Sequence, residues 1–98
     1  MTVTLTPEGE SRYRLAGDLT FATVPALYED ADLDFTATQI RVDLADVRHA
    51  DSAGLALLLE WLRIARVAEC DIVYLHIPAQ LQSLIEVSGL EDLVRLED

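Results

Sequence analysis

Lysine is absent from this 98-residue chain, and seven arginines are its only strongly basic residues. Against 18 acidic residues they leave a formal net charge of -11 at pH 7. A surface of this sign repels nucleic-acid phosphates and anionic lipid headgroups, so direct binding to either is not expected. A P-loop is also excluded, because its consensus G-x-x-x-x-G-K-[ST] requires a lysine. The charge favours instead a protein partner with a basic docking surface.

Cysteine and long apolar runs are equally scarce. Cys70 is the only cysteine, which excludes an intrachain disulfide and a thiolate zinc cluster, and we expect it to be buried. The two histidines, His49 and His76, are far apart in sequence, and we expect neither a metal nor a cofactor. No segment approaches the roughly 18 apolar residues of a membrane span. The N-terminus also lacks a signal-peptide pattern, so we expect a cytoplasmic protein without membrane insertion.

The length and an apolar content of 51% predict one globular α/β domain over residues 1–98. The periodicity predicts the order ββαβαβαβ, which implies a small mixed sheet with right-handed crossovers and helices mainly on one face. The predicted elements are an opening hairpin (Val3–Leu5 and Tyr13–Leu15), a helix after Thr23, a strand Ile40–Leu44, a helix from about Ala53 to Ala68, a strand Ile72–Ile77, a helix around Leu81–Val87 ended by Gly89, and a last strand around Leu93–Leu96.

A polar elbow precedes the long helix in "RHADSAGLALLLEWLRIAR", residues 48–66. Asp51 or Ser52 can cap the helix, at a typical gain of about 1 kcal/mol, and we expect Ser52 to be both the cap and a partner contact. The helix N-terminus also favours a phosphate on Ser52, although Asp51 and Asp46 would oppose the added charge. His49, Asp51 and Ser52 are the residue types of a hydrolase triad. They lie within four positions and the serine lacks flanking glycines, so we do not expect an enzyme.

The apolar arc of the long helix is wider than one sheet requires. The stripe expected on the sheet consists of Leu55, Leu58, Leu59, Leu62 and Ala65. An adjoining apolar face consists of Leu57, Trp61, Ile64 and Ala68. Either neighbouring helices cover this second face, or it is a docking surface with Trp61 as its anchor. The second alternative predicts partner contacts through Asp51, Ser52, Ala53, Ala56, Leu57, Glu60, Trp61 and Ile64.

Three segments resemble signature segments of the STAS domain family, the bacterial anti-sigma-factor-antagonist fold. They are "LAGDLTFATVPAL" (15–27), "IRVDLADVRHADSAGLALLL" (40–59) and "LQSLIEVSGLEDLVRL" (81–96), in the family's order and over nearly the whole chain. The resemblance implies the STAS fold, a small mixed sheet backed by helices. It also implies that the elbow and the helix after it form the partner-binding face.

Two functions follow from the resemblance. The run GLALLL (54–59) is similar to the small STAS subunits of Mla-type phospholipid-transport ABC complexes. This similarity implies a non-catalytic regulatory or assembly subunit that binds the ABC ATPase subunit, at the cytoplasmic side of the inner membrane. In anti-sigma-factor antagonists, the residue matching Ser52 is phosphorylated by a partner kinase. The alternative function is therefore an anti-sigma factor antagonist in a partner-switching pathway, which binds an anti-sigma factor kinase and is controlled by phosphorylation of Ser52. Ala53 stands where many antagonists carry a second serine, and this departure favours the transport function.

Overall fold

Five strands and three helices form in the predicted order over the described residues. A computed structural model describes residues 2–90 with side chains and the backbone of 96–97. The elements are β1 (Val3–Pro7), β2 (Arg12–Leu19), α1 (Val24–Asp30), β3 (Gln39–Ala50), α2 (Ser52–Val67), β4 (Asp71–Leu75), α3 (Ala79–Val87) and β5 (Leu96–Glu97). The predicted strand residues Leu93 and Val94 lie outside the described part of the chain.

The sheet has the order β1-β2-β3-β4-β5, with β1 antiparallel to β2 and the other pairs parallel. Each crossover steps to the next strand in the same direction, and right-handed crossovers therefore place all three helices on one face. On β3, the side chains of Ile40, Val42 and Leu44 are fully buried, whereas the alternate residues Arg41 and Asp43 are half-buried on the opposite face. The predicted mixed sheet with helices on one face is confirmed.

Strand β3 continues six residues beyond the predicted end at Leu44 and reaches Ala50. Its polar second half pairs with the end of β2, where Asp18 lies opposite His49, and the register shifts twice along this pair. Pairing with β2 thus extends the strand through residues that no longer alternate regularly between apolar and polar. At the other end of the chain, Gly89 follows α3 with a φ of +69°, the left-handed conformation predicted for it.

Helix α2 lies between the two other helices and contacts both α1 and α3. Trp61 and Leu57 are each only 3% exposed and belong to the core. The prediction of Trp61 and Leu57 as an exposed docking anchor is therefore wrong. Core packing covers this part of the second apolar face, whereas Ala68 at its end is exposed. The Tyr74 hydroxyl donates to the Leu58 carbonyl over 2.7 Å and fixes the middle of α2 to β4.

The face of the sheet opposite the helices carries ionic contacts. Nδ1 of His76 lies 3.0 Å from Oδ1 of Asp43, and Arg14 contacts Glu8 over 2.8 Å. Burial on its own would raise the pKa of Asp43. The hydrogen bonds from His76 and from the Ala45 N–H, together with the charges of His76 and Arg14, outweigh it and hold that pKa below its ordinary value of 3.8.

Because Trp61 is buried, replacing it with alanine should lower the free energy of unfolding by about 3–5 kcal/mol. Val67, which is 79% exposed, provides the control, since Val67→Ala should change stability by less than about 0.5 kcal/mol. Urea unfolding measures both. Trp61 is also the only tryptophan, so iodide should quench the native fluorescence weakly. Strong quenching of the folded protein, or a small loss for Trp61→Ala, would contradict the packing described.

The lowered pKa of Asp43 makes a prediction about acid stability. Its carboxylate stabilises the fold above pH 3.8, and this contribution is lost as the pH falls through the lower pKa of the folded state. Between about pH 5 and pH 2, the free energy of unfolding should therefore fall less steeply for Asp43→Asn than for the unchanged protein. Chemical unfolding at a series of pH values measures the slopes. Equal slopes would show that the hydrogen bond to His76 does not hold the carboxylate ionised.

Candidate functional site

The carboxylate of Asp51 joins three elements at the start of α2. Asp51 precedes the helix in an extended conformation, and its Oδ1 accepts from the Ala53 N–H over 2.9 Å. Its Oδ2 accepts from the Phe21 N–H over 3.1 Å, which ties the loop after β2 to the elbow. Asp51 is therefore the N-cap and Ser52 is the first helical residue. The prediction that Ser52 caps the helix is wrong, because the residue at the capping position is Asp51.

The helix begins directly against the end of β2, and Gly54 permits this close approach. A Cβ added to Gly54 would lie 2.9 Å from the Leu19 carbonyl oxygen and 3.1 Å from the Leu19 Cβ. The Asp51 N–H donates to the same carbonyl over 3.1 Å. Oε1 of Gln80 accepts from the Ala50 N–H over 3.0 Å and brings the first turn of α3 to the same end of the sheet. The elbow is thus fixed by backbone contacts on several sides.

The side of α2 that faces away from the sheet is accessible over most of its length. We call this surface the outer face of α2, and it consists of Ser52, Ala53, Ala56, Glu60, Arg63 and Ile64. Ser52, Ala56 and Arg63 are exposed, and the other three are half-buried. Of the eight predicted contact residues, the structure brings five together on the outer face and places Asp51 half-buried beside them. Leu57 and Trp61 point into the core instead.

Two residues of this region were not predicted from the sequence. Phe21 is 71% exposed, and its N–H is held by Asp51, the residue before Ser52. A single phenylalanine in a turn carries no periodic signal, so only the fold shows that it lies beside the elbow. Arg63 forms an ion pair with Glu60, one helical turn away. The i,i+3 spacing of these opposite charges was visible in the sequence and could have identified the pair.

The electrostatics of the outer face differ from those of the chain as a whole. The chain has a formal net charge of -11, yet over residues 52–64 the only charged side chains on this face are Glu60 and Arg63, which form an ion pair. Arg66 is exposed in the last turn of the helix. The remaining positions are small or apolar, apart from the Ser52 hydroxyl. Centres of protein interfaces are likewise depleted of charge. Such a surface can bind another protein without bringing unpaired charges out of water.

The same geometry gives no support to a hydrolase. Both carboxylate oxygens of Asp51 accept from backbone N–H groups, and neither orients an imidazole. Within residues 2–90, the Ser52 side chain forms no hydrogen bond to a base. The described residues also contain no group of three His, Cys, Asp or Glu side chains suited to a metal ion. Cys70 is buried as predicted, and burial raises the pKa of its thiol.

Comparison with known proteins relates the chain to one family. A family model described as "Mlab, STAS domain" matches residues 3–95. The intermembrane phospholipid transport system binding protein MlaB of Haemophilus influenzae is 28% identical over 85 residues, which are 82% of this chain and 81% of that protein. The anti-sigma-B factor antagonist of Listeria monocytogenes is 26% identical over 86 residues, which are 86% of this chain and 75% of that protein.

Solved structures show the same fold. The anti-sigma factor antagonist SpoIIAA in its unphosphorylated form superposes with a TM-score of 0.67 at 13% identity, covering 98% of this chain and 87% of that one. The phosphorylated form of SpoIIAA, a Bacillus cell fate determinant, gives a TM-score of 0.70 at 16% identity, covering 98% and 91%. Among the described residues, no helix is long and apolar enough to span a membrane.

The capping role of Asp51 predicts a measurable loss of stability when its carboxylate is removed. Asp51→Ala removes the acceptors for Ala53 and Phe21 and should destabilise the protein by about 1–2 kcal/mol. Asp51→Asn keeps one acceptor oxygen for the helix and should lose less than half as much. Thermal or urea unfolding compares the two variants. If Asp51→Ala costs less than about 0.5 kcal/mol, the carboxylate does not fix the elbow.

Gly54 provides a second test, because alanine normally stabilises a helix by about 1 kcal/mol relative to glycine. At this position, the clash with the Leu19 carbonyl should reverse the sign, so Gly54→Ala should destabilise the protein by about 1–2 kcal/mol. The exposed Ala56 gives the control, since Ala56→Gly should cost about 1 kcal/mol through helix propensity alone. A Gly54→Ala variant that is more stable than the unchanged protein would contradict the close approach.

Proposed function

Because the chain belongs to the STAS domain family, we propose that it is a non-catalytic regulatory or assembly subunit that binds the ATPase subunit of a bacterial phospholipid-transport ABC system. The observation that carries this proposal is the outer face of α2, an exposed and nearly uncharged surface on a strongly acidic chain. The 28% identity to an MlaB protein supports the transport system as its setting. The place of action would be the cytoplasmic side of the inner membrane, reached through the partner.

Such a subunit acts through binding energy alone. If it binds only the assembled or competent state of the ATPase, it raises the population of that state by linkage. A rigid docking surface favours this role, because little conformational entropy is lost when it binds. The hydrogen bonds of Asp51 and the contact of Gly54 with Leu19 hold the start of α2 in this way. Partner contacts are then expected from Ser52, Ala56 and Phe21, with Glu60, Arg63 and Ile64 around them.

The surroundings of Ser52 favour a direct contact over a phosphate site. A phosphate on Ser52 would need free N–H groups in the first turn of α2. The Ala53 N–H already donates to the Asp51 carboxylate, and the Gly54 N–H donates to the Asp51 carbonyl over 3.0 Å. The negative charge of Asp51 would also oppose a phosphate next to it. The Ser52 hydroxyl is exposed and can form a hydrogen bond with a partner.

The alternative is an anti-sigma factor antagonist that is controlled by phosphorylation of Ser52 and binds an anti-sigma factor kinase. One observation favours it: Ser52 is exposed at the start of α2, where a kinase could reach its hydroxyl. The anti-sigma-B factor antagonist of Listeria monocytogenes is nearly as similar as MlaB, at 26% identity. In this pathway the same outer face would bind a different ATP-using partner.

Ala56 tests the docking surface with little effect on folding, because it is exposed in the middle of the outer face. Ala56→Arg should lower the affinity for the purified transport ATPase subunit by about 100-fold, since it places an unpaired charge and a bulky side chain in the interface. Val87→Arg is the matched control, because Val87 is 86% exposed at the end of α3. Calorimetric titration measures both affinities. Equal effects of the two substitutions would place the interface elsewhere.

Substitution and phosphorylation of Ser52 distinguish the two candidate functions. With the transport ATPase, Ser52→Asp should lose co-purification, because a second carboxylate follows Asp51 directly in the contact. Retention of the ATPase by this variant would exclude the elbow from the interface. Incubation with ATP and a cognate anti-sigma kinase should leave Ser52 unmodified if the transport function holds. Stoichiometric phosphate on Ser52 that abolishes binding to that kinase would instead establish the antagonist.

A further inference from the structure

A second surface lies between α1 and the edge strand β1. It is a groove of about 490 Å³. Val3 and Leu5 line it from β1, and Ala26, Leu27 and Ala31 line it from the helix side. Two acidic residues, Asp30 and Asp32, also line the groove. Threonines line it as well, so the groove combines mixed apolar and hydroxyl-bearing walls with a negative charge.

The backbone of β1 offers free hydrogen-bonding groups along this groove. Within the described residues, β1 pairs only with β2, and it forms one edge of the sheet. The Asp18 N–H donates to the Thr2 carbonyl over 3.0 Å, which makes Thr2 and Asp18 a hydrogen-bonded pair. In an antiparallel ladder such pairs alternate, so the N–H and C=O groups of Thr4 point to β2, and those of Val3 and Leu5 point to the free edge.

We infer that the β1 edge binds an extended, basic segment of a partner protein as an added strand. Its backbone would pair with Val3 and Leu5, as in other cases of strand addition to an exposed sheet edge. Alternate side chains of an added strand point to the helix side, where the apolar groove receives them. Lysine or arginine side chains of the segment would contact Asp30 and Asp32.

Charge selects this occupant over a second copy of the chain. Pairing two β1 edges would bring together two chains with a formal net charge of -11 each and would place four groove aspartates close together. A basic segment gains the attraction that a second copy lacks. The inference does not rest on the proposed function, because neither Ser52 nor Ala56 lines the groove.

A synthetic peptide tests the inference directly. The probe is acetyl-Lys-Thr-Val-Thr-Ile-Thr-Val-Thr-Arg-amide, whose apolar residues and two basic residues lie on one face of an extended strand. We expect saturable binding to the full chain with a Kd below about 1 mM. Amide hydrogen exchange by NMR should show new protection at the N–H groups of Val3 and Leu5. The N–H of Thr4, already bonded to β2, should not change.

Two controls separate strand addition from simple charge attraction. A peptide N-methylated at the residues that would donate to β1 keeps its charge and should bind at least about fivefold more weakly for each lost hydrogen bond. Asp30→Asn combined with Asp32→Asn should weaken binding about fivefold at low salt. Removal of two charges outside the groove, by Glu29→Gln and Glu86→Gln, should change it less than about twofold.

Three results would overturn the inference. The first is no saturable binding up to about 1 mM peptide. The second is equal binding of the N-methylated peptide, which would reduce the effect to attraction by an acidic surface. The third is protection of Val3 and Leu5 in concentrated protein without peptide, together with dimerisation in the ultracentrifuge, which would make a second copy the occupant.

Discussion

The pair of hydrogen bonds accepted by the Asp51 carboxylate is the contact on which the candidate site depends. One oxygen caps α2 through Ala53, and the other holds the loop after β2 through Phe21. These bonds fix where the helix begins, and so they place Ser52 at its exposed first position and Phe21 beside it. Gly54 adds a steric condition, because only a residue without a side chain allows α2 to start against Leu19. The cap at Asp51, the contact of Gly54 with Leu19 and the exposure of Ser52 are therefore parts of one local arrangement.

The division of α2 into a buried and an exposed side follows from its central position. Because α1 and α3 both contact it, its core-facing arc includes Leu57 and Trp61 as well as the stripe that lies on the sheet. What remains accessible is an outer face with small residues in its first half, followed by the Glu60–Arg63 ion pair and the exposed Arg66 and Val67. Stability and partner binding thus use different sides of the same helix, and substitutions on the two sides should have separable effects.

The sequence predicted the fold well where the signal was local. The element order, the left-handed Gly89 and the burial of Cys70 follow from periodicity and from single-residue preferences. The extension of β3 to Ala50 could not be predicted, because its polar second half is held by pairing with β2. The choice between Asp51 and Ser52 as the N-cap could not be predicted either. Either side chain can cap a helix, and only the start of the helix against Leu19 decides between them.

The site itself was predicted in part, for a physical reason. A helical wheel shows how wide an apolar arc is, but it does not show which neighbour covers it, so Trp61 could be read as core or as anchor. Photo-crosslinking in the source cells tests the proposed docking surface most directly, with a photoactivatable amino acid at position 56 and, as control, at position 87. Position 56 should capture the ATPase subunit of a phospholipid-transport ABC system, and position 87 should not. Capture of an anti-sigma kinase at position 56, or equal capture of the ATPase from both positions, would contradict the proposal.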